Sequence, residues 1–153
     1  MPATTEPDTA LLSATRDTAH PACIVCSHAH ECGLGLRFRV LPDGSVDADM
    51  PCNAAFEGYV DVVHGGVVCC VLDGAMTNCL FARGLTGVTA KMELRFRHSV
   101  MVNRPAAVRA WPVRTTGSVH VLRARLVQDG EVKAEATGTF MEKEPKELTA
   151  QRQ

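Results

Sequence analysis

The stretch HGGVVCCVLDGAMTNCLFARG, residues 64–84, decides how the rest of the chain must be arranged. It reads as one helix that is apolar almost all round, closed by Gly84 and Gly87. A surface helix carries a single apolar stripe, whereas a helix without a polar face has to be surrounded by protein. This one is therefore expected to run through the middle of the fold. It contains a single carboxylate, Asp73. An ionised carboxylate in such surroundings is expensive unless it is paired or hydrogen-bonded, so Asp73 marks a candidate site. The structural alternative is a buried Asp bonded to Thr77, one turn further on.

Outward from the helix, the bounds are simple. A chain of 153 residues fits one domain with room for a core, and a formal charge of −1 gives no bulk attraction for nucleic acid. The seven cysteines are odd in number, and Cys69 and Cys70 stand side by side inside the apolar helix. That favours reduced thiols in a cytoplasmic protein over a disulfide framework. Glu6 and Asp8 stand where a signal peptide would carry positive charge, and the run Val67 to Leu72 is far shorter than the ~20 residues of a membrane span. Residues 1–21 read as a disordered tail with one helical turn near Leu11 and Leu12. Residues 22–142 read as the domain, and 143–153 as a charged tail.

On either side of the helix the period is that of strands. Leu34, Leu36, Phe38 and Val40 alternate with Gly35, Arg37 and Arg39, and Pro42-Asp43-Gly44 turns the chain into a weaker strand over 45–53. After the helix, Val88, Ala90, Met92, Leu94 and Phe96 are expected to face one way, and Thr89, Lys91, Glu93, Arg95 and Arg97 the other. Further strands are expected over 106–115, with Pro112 at an edge or a bulge, and over 118–128 and 131–141, the last two joined by Asp129-Gly130. The pattern is α+β: an antiparallel sheet wrapped around one long central helix.

Three segments carry a family resemblance. His64-Gly65-Gly66 with Asp73 nine residues after the His has the form HGG-x6-D/E; residues 87–100, GVTAKMELRFRHSV, match a strand of the form G-x-[ST]-x4-[LIV]-x-[FY]; residues 23–38, CIVCSHAHECGLGLRF, match Cys-x2-Cys followed by Gly-Leu-x-Leu-x-Phe. Together they resemble the hotdog-fold acyl-CoA thioesterases of the PaaI-like, phenylacetate-pathway type. Glu31-Cys32 and Gly58-Tyr59-Val60-Asp61 depart from the family pattern, which has Asn-Pro at the first place and Gly-Tyr-Pro-Gly at the second.

The resemblance implies hydrolysis of an acyl-CoA to free acid and coenzyme A. The Gly65 N–H, with that of Gly66, would polarise the thioester carbonyl at the helix N-terminus, and His64 would shape the turn. Asp73 would act as general base or nucleophile, and Thr89 would orient the water. Asp73 lies roughly 12 to 14 Å along the helix from its N-terminus. The resemblance therefore implies a homo-oligomer, a dimer or dimer of dimers, with composite active sites. Arg95, Arg97 and His98 are candidates for coenzyme A phosphates, against the plainer reading of a solvated strand face.

No cofactor is expected beyond the coenzyme A of the substrate, and no metal. Cys23, Cys26, His28, His30 and Cys32 would suffice for zinc, but they crowd into ten residues, and relatives carry the Cys pair without one. Two alternatives stand beside the enzyme: a hotdog protein that binds acyl-CoA as sensor or carrier, and a zinc-containing interaction module. A catalytic His paired with an acid, as a hotdog dehydratase needs, is not found.

Overall fold

The computed structural model describes residues 6–149. Helix α1 spans Thr9–Ala19, and after a looped segment come β1 (Arg39–Val40) and β2 (Val46–Pro51). The long helix α2 is Gly65–Phe81. Strands β3 (Gly87–Phe96), β4 (Pro105–Thr116), β5 (Val119–Gln128) and β6 (Glu131–Glu142) follow, then a short helix, α3 (Pro145–Thr149). The strands form one antiparallel sheet in the order β1-β2-β4-β5-β6-β3, and α2 packs on its inner face.

The helix begins and ends where its sequence directs. His64 is the N-cap, and its Nδ1 accepts the Gly66 N–H at 2.8 Å. A Cβ on Gly66 would stand 3.0 Å from that nitrogen, so glycine lets the ring fold back over the helix start. At the other end Gly84 takes φ 70, with Leu85 N–H donating to Leu80 O at 3.1 Å and Gly84 N–H to Phe81 O at 2.9 Å, a Schellman closure. Arg83 reinforces it by donating to Cys79 O at 2.8 Å and to Gly44 O at 2.9 Å, which ties the negative end of α2 to the β1–β2 turn.

Burial of α2 is uneven, contrary to the expectation of a helix enclosed on every side. From Gly74 to Phe81 every residue is buried, whereas Gly65, Gly66 and Cys70 are exposed and Cys69 and Asp73 half-buried. The first half of the helix thus presents an open face. Inward-facing residues of the sheet, among them Val46, Ala48, Met50, Val108, Ala110, Leu122, Ala124, Leu126, Ala136 and Phe140, cover the rest.

Four expectations are corrected. Most of the disordered tail assigned to 1–21 is helix α1: Asp8 caps it, Asp8 N–H donates to Ala82 O at 3.1 Å, and Leu12 is fully buried in the common core. Residues 1–5 of that tail lie outside the described residues. The anchoring side chain makes a stability prediction: Leu12→Ala is expected to lose about 2–5 kcal/mol in denaturant unfolding, as for other fully buried leucines. Second, the strand over 34–40 keeps its buried–exposed alternation but pairs with β2 only at Arg39 and Val40; before that, Gly35 takes φ 59, and Leu34 and Leu36 N–H donate to Ile24 O at 2.7 Å and Val25 O at 2.8 Å. Third, the charged tail from 143 starts with Lys143 bonded through its N–H to Thr86 O at 2.9 Å, followed by α3; residues 150–153 lie outside the described residues.

The fourth correction concerns β3. Thr89 pairs with Phe140 but Lys91 pairs with Thr139, so Ala90 is an extra residue, a β-bulge. Directly opposed residues share a face, and Phe140 points into the core. Thr89 therefore faces α2 together with Met92, Leu94 and Phe96, while Val88, opposite Met141, faces out. Strict alternation had placed Thr89 on the outer face. A second register shift, between Pro112 and Arg114, answers the question posed by Pro112: it sits at a bulge within an interior strand.

Candidate active site

The N-terminus of α2 opens into a cleft of about 950 Å³ whose walls include Tyr59, His64, Gly65, Phe96, Arg97 and His98. The helix start is held there by two neighbouring segments: Val63 N–H donates to Val100 O and His64 N–H to Phe56 O, both at 2.8 Å. The next donors are accounted for unequally. Val67 and Val68 N–H turn to His64 O, and Gly66 N–H is taken by His64 Nδ1. The Gly65 N–H has no partner among the described residues. It sits at the positive end of the helix, beside the cleft, and is the donor left for an incoming oxygen.

The loop leading in departs from the expected sequence pattern and closes as a tight turn. Val62 N–H donates to Tyr59 O at 2.9 Å, and Asp61 takes φ 60 as the third residue of that turn. This is a turn that favours Pro-Gly at its two central positions. Val60-Asp61 occupies them here, and the Asp61 carbonyl accepts from Val102 N–H at 3.0 Å while its N–H donates to Glu57 Oε2 at 3.0 Å.

Asp73 is on the open face of α2, outside the cleft. Its Oδ1 accepts from Thr89 Oγ1 at 2.6 Å, the contact that the bulge at Ala90 makes possible. Thr77 bonds instead to the main-chain carbonyl of Asp73, at 3.0 Å, so the carboxylate is not consumed by its own helix. One carboxylate oxygen is thus engaged by Thr89, and the other has no partner among the described residues. Eight residues at 1.5 Å each separate Asp73 from Gly65, about 12 Å along the axis.

The basic run divides. Arg97 and His98 line the cleft, with Arg97 bonded to Glu135 at 2.6 Å and His98 to Glu131 at 3.1 Å. The Arg97 bond holds the Glu135 carboxyl below its ordinary range, and Lys133 does the same for Glu131. Arg95 stands apart, in a shallow depression with Glu93, Arg123 and Glu135. The structure thus separates three groups that sequence had put in one run, because Arg97 and His98 lie where β3 ends.

The cysteine segment is also rearranged. Cys23 and Cys26 come together with His20, and Cys32 is exposed elsewhere. The sequence pattern gives no sign of His20, which joins the pair because it ends α1 and packs on Phe81.

An open antiparallel sheet wrapped around one long helix, with the helix N-terminus at a cleft, is the hotdog architecture. The chain belongs to the acyl-CoA thioesterase domain family, whose N-terminal-domain model matches residues 57–141. Among solved structures, a thioesterase superfamily protein superposes with a TM-score of 0.75 at 21% identity over 78% of this chain; the chain spans 63% of that protein's length. A phenylacetic acid degradation-related protein from Ralstonia eutropha gives 0.69 at 26% identity, covering 86% of this chain and 98% of the other. A hypothetical thioesterase protein from Streptococcus pneumoniae, solved with coenzyme A, gives 0.66 at 18% identity, covering 70% and 87%. No curated protein matches. Among the described residues, no helix is long and apolar enough to cross a membrane.

Proposed function

We propose that this protein hydrolyses an acyl-CoA thioester to the free acid and coenzyme A, at composite sites formed between two copies of the chain. The observation that carries the reading is the division of labour along α2. A free N–H at Gly65 faces a cleft, while a carboxylate poised by Thr89 lies about 12 Å away on the open face of the same helix. A base must come within hydrogen-bond reach of the proton it takes, so these two groups cannot serve one thioester from one copy.

Two further features support pairing. Strand β3 is a ten-residue edge with a neighbour on one side only, and Val88 (40% exposed) and Phe96 (54% exposed) lie along it. An unpaired edge of this length offers a row of backbone donors and acceptors to another strand, and a two-fold axis beside β3 would also cover the open face of α2.

In the proposed reaction the thioester oxygen sits against Gly65 N–H, where the helix dipole stabilises the negative charge that develops. The Asp73 carboxylate of the second copy takes a proton from water as the water oxygen attacks the carbonyl carbon, or itself attacks as nucleophile to give an acyl–Asp anhydride that water hydrolyses once coenzyme A has left. The C–S bond then breaks and coenzyme A leaves as the thiol after protonation. Arg97 and His98, at the cleft wall, suit phosphate groups of the coenzyme, exchanging exposed carboxylate partners that contribute little. Arg95 would play at most a peripheral part. No cofactor is required by these steps, and a cytoplasmic setting suits the free thiols.

The test is thiol release over a panel of short, long and aromatic acyl-CoAs. Turnover of at least one is expected. Tight binding with no release across the panel would leave an acyl-CoA-binding sensor or carrier and sink the proposal.

Thr89 is proposed as a positioning residue. Thr89→Val keeps the shape of the side chain but removes a bond to a charged group, an interaction of about 1.5–3 kcal/mol. The expected result is a roughly 10- to 100-fold fall in kcat with KM little changed. An unaltered kcat would show that Asp73 needs no help from Thr89.

A further inference from the structure

We infer that His20, Cys23 and Cys26 form a Zn²⁺ site, separate from the acyl-transfer chemistry. One ligand atom from each lies within 4.8 Å of the other two, and Cys26 Sγ to His20 Nδ1 is 3.8 Å. A tetrahedral ion with bonds of about 2.3 Å to sulfur and 2.0 Å to nitrogen spaces its ligands by about 3.5 to 3.8 Å, so small side-chain adjustments close the cage.

The site is built rather than accidental. His20 ends α1, with its N–H bonded to Arg16 O at 2.7 Å, and its ring stands edge-on to the buried Phe81 of α2, 4.9 Å between centroids. Val25 N–H donates to Cys23 Sγ at 3.3 Å, an arrangement that favours sulfur in its ligating, thiolate form. Ser27 N–H donates to Cys23 O at 3.0 Å and Ser27 Oγ to Pro21 O at 2.8 Å, closing the turn that carries both thiols. Asn78 of α2, fully buried, leans on Cys26, and its Oδ1 has no partner among the described residues.

Soft sulfur with one imidazole selects Zn²⁺ over hard cations such as Mg²⁺ or Ca²⁺. Three protein ligands leave the fourth position to water or another small ligand, and the half-exposed His20 and Cys23 provide the way in. On binding, Cys23 and Cys26 give up their thiol protons to solvent. Because its ligands come from the end of α1 and the following turn, both packed on α2, the metal would pin the N-terminal segment to the core.

The test uses the full chain, reduced and stripped of metal, titrated with Zn²⁺ and in parallel with Co²⁺ as an optical probe. The expected result is one equivalent bound, a thiolate-to-cobalt charge-transfer band, and a rise in melting temperature with zinc. Cys23→Ser and His20→Ala, each checked for an intact fold by circular dichroism, should each weaken binding by roughly 100-fold or more. Cys32→Ser and His28→Ala should bind as the parent does. Absence of binding by the reduced parent at micromolar free zinc overturns the proposal, as does binding that survives Cys23→Ser or is lost in Cys32→Ser.

Discussion

Asp73→Ala is expected to lower acyl-CoA hydrolysis by about a thousandfold or more while leaving the assembly intact. The estimate follows from the role: a general base contributes roughly 10²- to 10⁴-fold, and a nucleophile cannot be replaced at all by a methyl group. The stability side of the argument is as important. Asp73 is half-buried, its carboxylate is bonded to Thr89 alone among the described side chains, and it leaves no cavity inside the core when removed. The variant should therefore melt near the parent and elute at the same size. Activity measured by thiol release together with size-exclusion chromatography checks both halves, and turnover close to the parent's would exclude Asp73 from the chemistry.

The second large effect is a recovery. Gly65 is the first residue of α2, where proline is well tolerated: its missing N–H has no helical partner, and its fixed φ suits a helix start. His64 has ψ 132, which the residue before a proline prefers. A Cβ at Gly65 meets only the Phe96 ring, at 3.7 Å. Gly65→Pro thus deletes the free donor with little disturbance and should be nearly inactive. Co-expressed one to one with Asp73→Ala, it should form mixed dimers in about half of all cases, each with one complete site. Activity should return to roughly a quarter of the parent's. A mixture as inactive as its components would mean that each site is built within a single copy.

How much of this was legible in the sequence differs from element to element. The apolar composition of residues 64–84 announced the central helix, and the glycines at its ends mark its limits, because Gly84 adopts a conformation few other residues accept. Asp129-Gly130 predicted the β5–β6 hairpin, and both residues take positive φ there. Helix α1 was hidden because only one of its side chains, Leu12, is fully buried, and burial of one residue leaves no periodic trace. The pairing of Thr89 with Asp73 was hidden for a different reason. Alternation assumes that each residue advances the pleat by one step, and a bulge breaks that rule at a point no composition signals. His20 could not be grouped with Cys23 and Cys26 while residues 1–21 were read as a tail.

That bulge has a consequence for how the strand can change over time. Ala90 is the supernumerary residue, so deleting it would leave Thr89 facing Asp73 on a regular strand, opposite Phe140 as before. A slip of the first three residues by one position would instead present Val88 or Ala90 to the carboxylate. Whether a hydroxyl or a methyl meets Asp73 is thus governed by the register of the strand as well as by the identity of residue 89. Loss of a residue within a strand, usually a drastic change, is therefore expected here to leave the contact with Asp73 in place.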